Sequence, residues 1–108
     1  MRSRVIVVLV TCPTPAVARR LAQHLVTKRL AACVNIIPGV ESLFWWQGKL
    51  DRCREALLVI KTTADGFERL RRAIRQQHPY HAPEIIALPV LRGHRPYLNW
   101  VLQTVQLK

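Results

Sequence analysis

A chain of 108 residues, half of them apolar, is long enough for one domain around one core and too apolar to remain disordered. Seventeen Lys and Arg against six Asp and Glu give a net charge of +11, a balance that draws anions and repels free cations at long range. The basic residues, mostly arginine, are spread over every segment rather than run together, so a solvated basic surface is expected and nucleic acid is not the expected partner.

Arg4 to Thr11 is a short apolar run rich in β-branched residues, as a strand covered on both faces would be. Its apolar part, Val5 to Val10, is only six residues long, and Pro13 and Pro15 follow. Despite the basic start and Ala16-Val17-Ala18, it reads as a buried strand rather than an export signal. No stretch approaches the 18 or so apolar residues of a membrane span, so no membrane partner is expected. Thr14-Pro15 supplies an N-cap and a proline at the first helical position. From there Val17, Ala18, Leu21, Ala22, Leu25 and Leu30 form one apolar stripe opposite Arg19, Arg20, Gln23, Thr27 and Lys28.

Ala31 to Thr63 reads as a long hairpin turning at Gln47-Gly48. Val34, Ile36, Val40, Phe44 and Trp46 alternate on one face, and Leu57 to Ile60 lie on the return arm. Fully extended, Ala31 to Gln47 would span roughly 55 Å, against a radius of gyration of about 13 Å for a domain of this size. The arm therefore bends, with Pro38-Gly39 the obvious place, and reaches onto a partner. Leu43 and Trp45 are apolar on the face opposite Phe44 and Trp46, so the tip wants cover on both sides. Phe44 and Trp46, with Trp45, are read as interface anchors.

Asp65-Gly66-Phe67-Glu68 resembles a capping box opening a second helix, with Phe67, Leu70, Ala73 and Ile74 inward and Arg69, Arg71, Arg72 and Arg75 outward. Pro79 ends it near His78. Glu84 to Val90 is a further strand, its Pro89 suggesting an edge or bulge. Pro96 starts a last helix with Leu98, Val101, Leu102 and Val105 in a stripe. Two strand–helix–strand units in tandem, plus a terminal helix, predict one α+β domain over residues 1–108. Its expected form is a ferredoxin-like split βαβ sandwich, with helices on one face of an antiparallel sheet. The uncovered sheet face and the projecting hairpin point to a homo-oligomer.

The densest chemical cluster is His78-Pro79-Tyr80-His81-Ala82-Pro83-Glu84. Its imidazoles and carboxylate suit borderline divalent metals, and a thiolate would shift the preference toward copper or zinc. Cys12, placed in the loop after the first strand, is the candidate thiolate, which makes Cys12, His78, His81 and Glu84 the candidate ligand set. The loops bearing Cys12 and His78 need not meet within one subunit. Cys33 reads as a buried small hydrophobe and Cys53 as an ordinary strand residue. Three cysteines without CxxC spacing indicate neither a zinc knuckle nor a disulfide framework, and fit a reducing compartment, here the cytoplasm. The chain carries no GxSxG, no phosphate-binding Gly-rich loop and no HExxH, so no catalysis is expected.

The segments Thr11-x-Pro13, Leu30-Ala-Ala-Cys-Val-Asn-Ile-Ile-Pro-Gly39, Ser42-x-x-Trp-Trp-x-Gly-Lys49, Ile60-Lys-Thr62 and His78-Pro-Tyr-x-x-Pro-Glu-Ile-Ile-Ala-Leu-Pro89 resemble the CutA divalent-cation-tolerance family, as do Gly93 and Tyr97-Leu-x-Trp100. The resemblance spans essentially the whole chain. It implies a ferredoxin-like subunit in a tight homotrimer, cytosolic, bound up with tolerance of copper and other divalent ions and without established catalysis. Because such trimers are similar to those of PII signalling proteins, the alternative it implies is a module for a small anionic ligand or a protein partner. It further implies an inter-subunit cleft involving Trp45, Lys61, His78, Tyr80 and Glu84, with copper ligation by an early cysteine and the His78 corner. Here Val10 occupies the aligned position of that cysteine, and Cys12 stands two residues later, about 7 Å along a strand. Gln47 and His81 stand where the family usually has Glu, and Thr14-Pro15 replaces an acidic pair.

Overall fold

The computed structural model describes residues 4–105; residues 1–3, the basic start weighed above as part of an export signal, lie outside them. Four strands and three helices follow in the order β1 (Val5–Cys12), α1 (Pro15–Thr27), β2 (Cys33–Trp46), β3 (Lys49–Thr63), α2 (Phe67–Gln77), β4 (Ile86–Pro89) and α3 (Arg95–Thr104). The strands form one sheet, ordered β2-β3-β1-β4, with every neighbouring pair antiparallel. β1 and β3 are the central pair, as two interleaved strand–helix–strand units require.

Alternation along β1 decides which face is core. Ile6, Val8, Val10 and Cys12 are buried with Ala56, Leu58 and Ile60 of β3, under Ala18, Leu21, Ala22 and Leu25 of α1 and Leu70 and Ile74 of α2. Each large side chain fully buried here contributes about 1.5–3 kcal/mol relative to exposure. Among the described residues, the opposite face, carrying Val7, Leu9, Leu57, Val59 and Lys61, is covered only at one end. There Val5 and Ala32 pack with Val101 of α3 and Val105 just past its end. Ile37, Ile86 and Leu88 are left exposed.

Local chemistry sets the ends of the elements. Thr14 caps α1 by accepting the Val17 N–H at 3.1 Å, with Pro15 next in line. At the other end the Leu30 N–H bonds the Leu25 carbonyl (2.9 Å) and the Arg29 N–H bonds that of Val26 (3.0 Å), a Schellman closure with Arg29 at φ 56°. α2 departs from expectation. Its N-cap is Gly66, which has no side chain to cap the helix, and Glu68 turns instead to Arg71. The preceding turn is held by the Thr63 hydroxyl, which accepts the Gly66 N–H at 3.1 Å.

The hairpin bends where proline and glycine interrupt it. Register passes from Ile37↔Leu57 to Val40↔Glu55, so β2 carries one extra residue, and Gly39 sits at φ 73°. Gln47 (φ 50°) and Gly48 (φ 79°) are both left-handed, a two-residue turn matched to strand twist. The arms make the molecule elongated, 45 × 26 × 21 Å. β4 is shorter than its expected Glu84–Val90 span. It is an edge strand paired only with β1, where the missing N–H of Pro89 costs nothing inside the sheet.

Candidate functional site

The loop after α2 folds onto the end of β1. His78, buried, bonds the Thr11 carbonyl through Nε2 (2.7 Å) and accepts the Tyr80 N–H on Nδ1 (3.1 Å). The second contact makes Nδ1 an acceptor, so the proton belongs to Nε2, which donates to Thr11. The loop after α2 therefore meets the end of β1 within one chain. The His78 and Tyr80 rings lie 4.8 Å apart at 47°, and the Tyr80 hydroxyl donates to Glu55 Oε2 at 2.8 Å. Burial and this bond push the Tyr80 phenol well above its ordinary pKa, so it remains a donor.

Glu55 is the member of this cluster that sequence reasoning missed. It is buried on β3, beside the bulge, and has Tyr80 as its partner. Cys53, two residues away, is also held protonated, by desolvation first and then by the charges of Glu55 and Asp51 and a bond to Glu55. A carboxylate spaced two from a cysteine on a strand was visible in the sequence; its burial was not.

Cys12 is not in a loop. It is the last residue of β1, paired with Ala56, and fully buried on the core face. Desolvation, and behind it the charge of Glu55, push its thiol up to about 11, so no thiolate is offered at neutral pH. Both nitrogens of His78 are occupied. His81 and Glu84 are exposed, His81 facing Arg71 and Arg75 across a cleft. Among the described residues no three His, Cys, Asp or Glu side chains gather as a metal site would need. The quartet Cys12, His78, His81 and Glu84 thus does not fit a divalent ion within one chain.

The remaining candidates are far apart. Trp45 and Trp46 at the hairpin tip are 75% and 61% exposed, and Phe44 is 36% exposed. Trp45 pairs with Leu50 and Lys61 with Val7 and Cys33, so eleven residues of β3, about 36 Å, separate them. Lys61 lies on the open face, its ammonium donating to the Asn35 side chain. Tyr80 sits between, at Glu55.

A family model described as CutA1 divalent ion tolerance protein matches residues 6–104. The chain is 50% identical over 95 residues to the divalent-cation tolerance protein CutA of Thermus thermophilus, covering 88% of this chain and 92% of that protein. It is 46% identical over 97 residues to Protein CutA of Homo sapiens, covering 90% of this chain and spanning 54% of the human protein's length. Its fold is similar to CutA1 from Oryza sativa, with a TM-score of 0.95 at 40% identity, covering 99% of this chain and 98% of that one. It is also similar to the periplasmic divalent cation tolerance protein CutA from Archaeoglobus fulgidus, with a TM-score of 0.91 at 37% identity, covering 94% and 99%. No helix among the described residues is long and apolar enough to cross a membrane.

Proposed function

This chain belongs to the CutA1 divalent ion tolerance family, and from that premise we propose that it is a homotrimeric, non-catalytic divalent-cation tolerance protein built from ferredoxin-like subunits. The observation that carries the reading is the 36 Å or so between Trp45 and Lys61. A cleft holding both, with Tyr80, has to join different subunits. Exposed aromatics at the hairpin tip and an apolar open sheet face supply the surfaces that such an assembly would bury.

Divalent ions, copper among them, enter this proposal as cargo. Because the donors of one chain do not fit an ion, its seat is completed by a neighbouring subunit. The site of action is the cytoplasm, consistent with three free cysteines; cell fractionation that places the protein in an envelope compartment would refute this.

The test follows oligomer mass and bound metal together. The wild type is expected to sediment as a trimer and Trp45→Ala as a monomer or unfolded chain; a variant trimer with unchanged melting temperature would overturn arm exchange. Titration with Cu(II) and Zn(II) is expected to saturate for the trimer and to fail for the monomer. Weak, unsaturated uptake by both would exclude direct binding as the mechanism. A second reading, a PII-like module for a small anionic ligand, is favoured by Lys61, a cation set among apolar residues of the open face.

A further inference from the structure

A cleft of about 390 Å³ lies between α2 and the segment that leads into β4, away from both the hairpin tip and Lys61. Its lining is Arg71, Arg75, His81, Ala82, Pro83 and Ile85. Arg71 and Arg75 are one helical turn apart and so share a face. His81 and the apolar trio approach from the returning loop, which Pro79 and Pro83 stiffen.

The two guanidiniums differ in how much of their hydrogen bonding is free. Arg71 spends Nε and Nη2 on Glu68, at 2.7–3.1 Å, and retains Nη1. Arg75 is exposed, and no carboxylate pairs with it among the described residues. Three contributions oppose a positive field, one of them Glu84, an exposed carboxylate between the lining residues Pro83 and Ile85. Glu68 offsets part of Arg71, but from the side nearer the start of α2. The carbonyl end of α2 carries about half a negative charge, less than the single guanidinium of Arg75. With Arg72 exposed on the same helix and a chain charge of +11, the field in the cleft stays positive.

We propose that this cleft is a binding site for a small organic phosphomonoester. Arg75 forks two phosphate oxygens, Arg71 donates to a third from its free Nη1, His81 adds an imidazole donor, and Ala82, Pro83 and Ile85 take the organic body. Arginines one helical turn apart suit phosphate because they share a face and a free guanidinium fork matches two oxygens at once. The volume exceeds what phosphate alone fills, and the far wall is apolar, so an ester should bind better than the bare ion. The same charges explain why His81, a metal-ligand candidate in the sequence, is poorly placed for a free cation. The site lies within one chain and does not depend on a subunit cleft or on metal.

The test is calorimetric titration of the intact protein with phenyl phosphate and with inorganic phosphate at constant ionic strength. It is repeated on Arg75→Gln, on His81→Gln, and on Arg95→Gln as a control of equal charge on α3. Saturable binding is expected, several-fold tighter for phenyl phosphate, weakened tenfold or more by Arg75→Gln, weakened measurably by His81→Gln and changed less than twofold by Arg95→Gln. Glutamine is a good helix former at an exposed position, and an unchanged melting temperature confirms that folding is intact. Absence of saturation in the wild type, or equal losses in Arg75→Gln and Arg95→Gln, would overturn the site. So would an oligonucleotide binding more tightly than phenyl phosphate, with steep salt dependence and no response to Arg75→Gln, since the charge would then serve a polyanion as a whole.

Discussion

Arg29 holds φ at 56°, the position just past the end of α1 where glycine is the common choice. The closure needs only its backbone N–H, which any residue supplies, while the Cβ strains against its own carbonyl. Arg29→Gly should therefore stabilise the fold by about 0.5–1 kcal/mol, the left-handed strain relieved less the added freedom of the unfolded chain. Denaturant unfolding checks this, read as a higher midpoint at unchanged slope. Cys12 gives a second residue-scale expectation, this one in pH. Its thiol ionises near 9 when unfolded and near 11 when folded. Below pH 9 both states keep the proton and the thiol adds no slope. Between 9 and about 11 the unfolded chain binds fewer protons than the folded one, so stability falls as pH rises. Cys12→Ala is expected to flatten that alkaline slope relative to the wild type, even though it lowers stability at neutral pH by leaving a small cavity. Parallel slopes for the two proteins would refute the assignment.

At the scale of elements, what could be read from the sequence was what short segments decide for themselves. The Thr14-Pro15 start of α1, the bulge at Pro38-Gly39 and the turn at Gln47-Gly48 each rest on one or two residues with few conformational options. The capping box at Asp65 failed because a competitor lay within reach: Glu68 forms a forked ion pair with Arg71 instead of bonding back to the helix start. The meeting of Thr11 with His78 was not legible, since it depends on how the two strand–helix–strand units close over each other across 67 residues. That closure also explains why the candidate metal loop is built as it is. His78 is a strut holding the loop to β1, and Tyr80 carries the contact on to Glu55. Replacing His78 by Ala leaves the Tyr80 N–H without its acceptor and removes one bond from Thr11, which should cost about 2–4 kcal/mol. Tyr80→Phe, which leaves buried Glu55 without this donor, should cost about 1–3 kcal/mol. Chemical denaturation of both variants decides it; a His78→Ala protein of unchanged stability would mean that the imidazole serves something other than the fold. Any loss of metal binding in that variant has to be weighed against this structural cost.

For the molecule as a whole, the dominant fact is charge. Six acidic residues face seventeen basic ones, and the ion pair between Arg52 and Glu41 is loose, at 3.9 Å on an exposed surface. The helical layer concentrates the excess, with Arg19, Arg20, Arg72 and Arg75 exposed on α1 and α2. At 0.01 M salt the Debye length is about 30 Å, comparable with the short dimensions of the molecule, so like charges on one side repel those on the other. At 1 M it is about 3 Å and only contacts survive. Folding gathers these charges from an expanded chain, and assembly of three copies would gather three times as many. Added salt should therefore stabilise both the fold and the proposed trimer, opposite to the behaviour of a protein held by surface ion pairs. The expected result is a melting temperature that rises as NaCl goes from 0.01 to 0.5 M, together with a smaller fraction of dissociated subunits in sedimentation. Substituting Gln for Arg19 and Arg72, both exposed, should raise the low-salt melting temperature and reduce its salt dependence. If the melting temperature were flat or falling with salt, self-repulsion would not be the controlling term, and phosphate in place of chloride would then separate general screening from occupation of the Arg75 cleft.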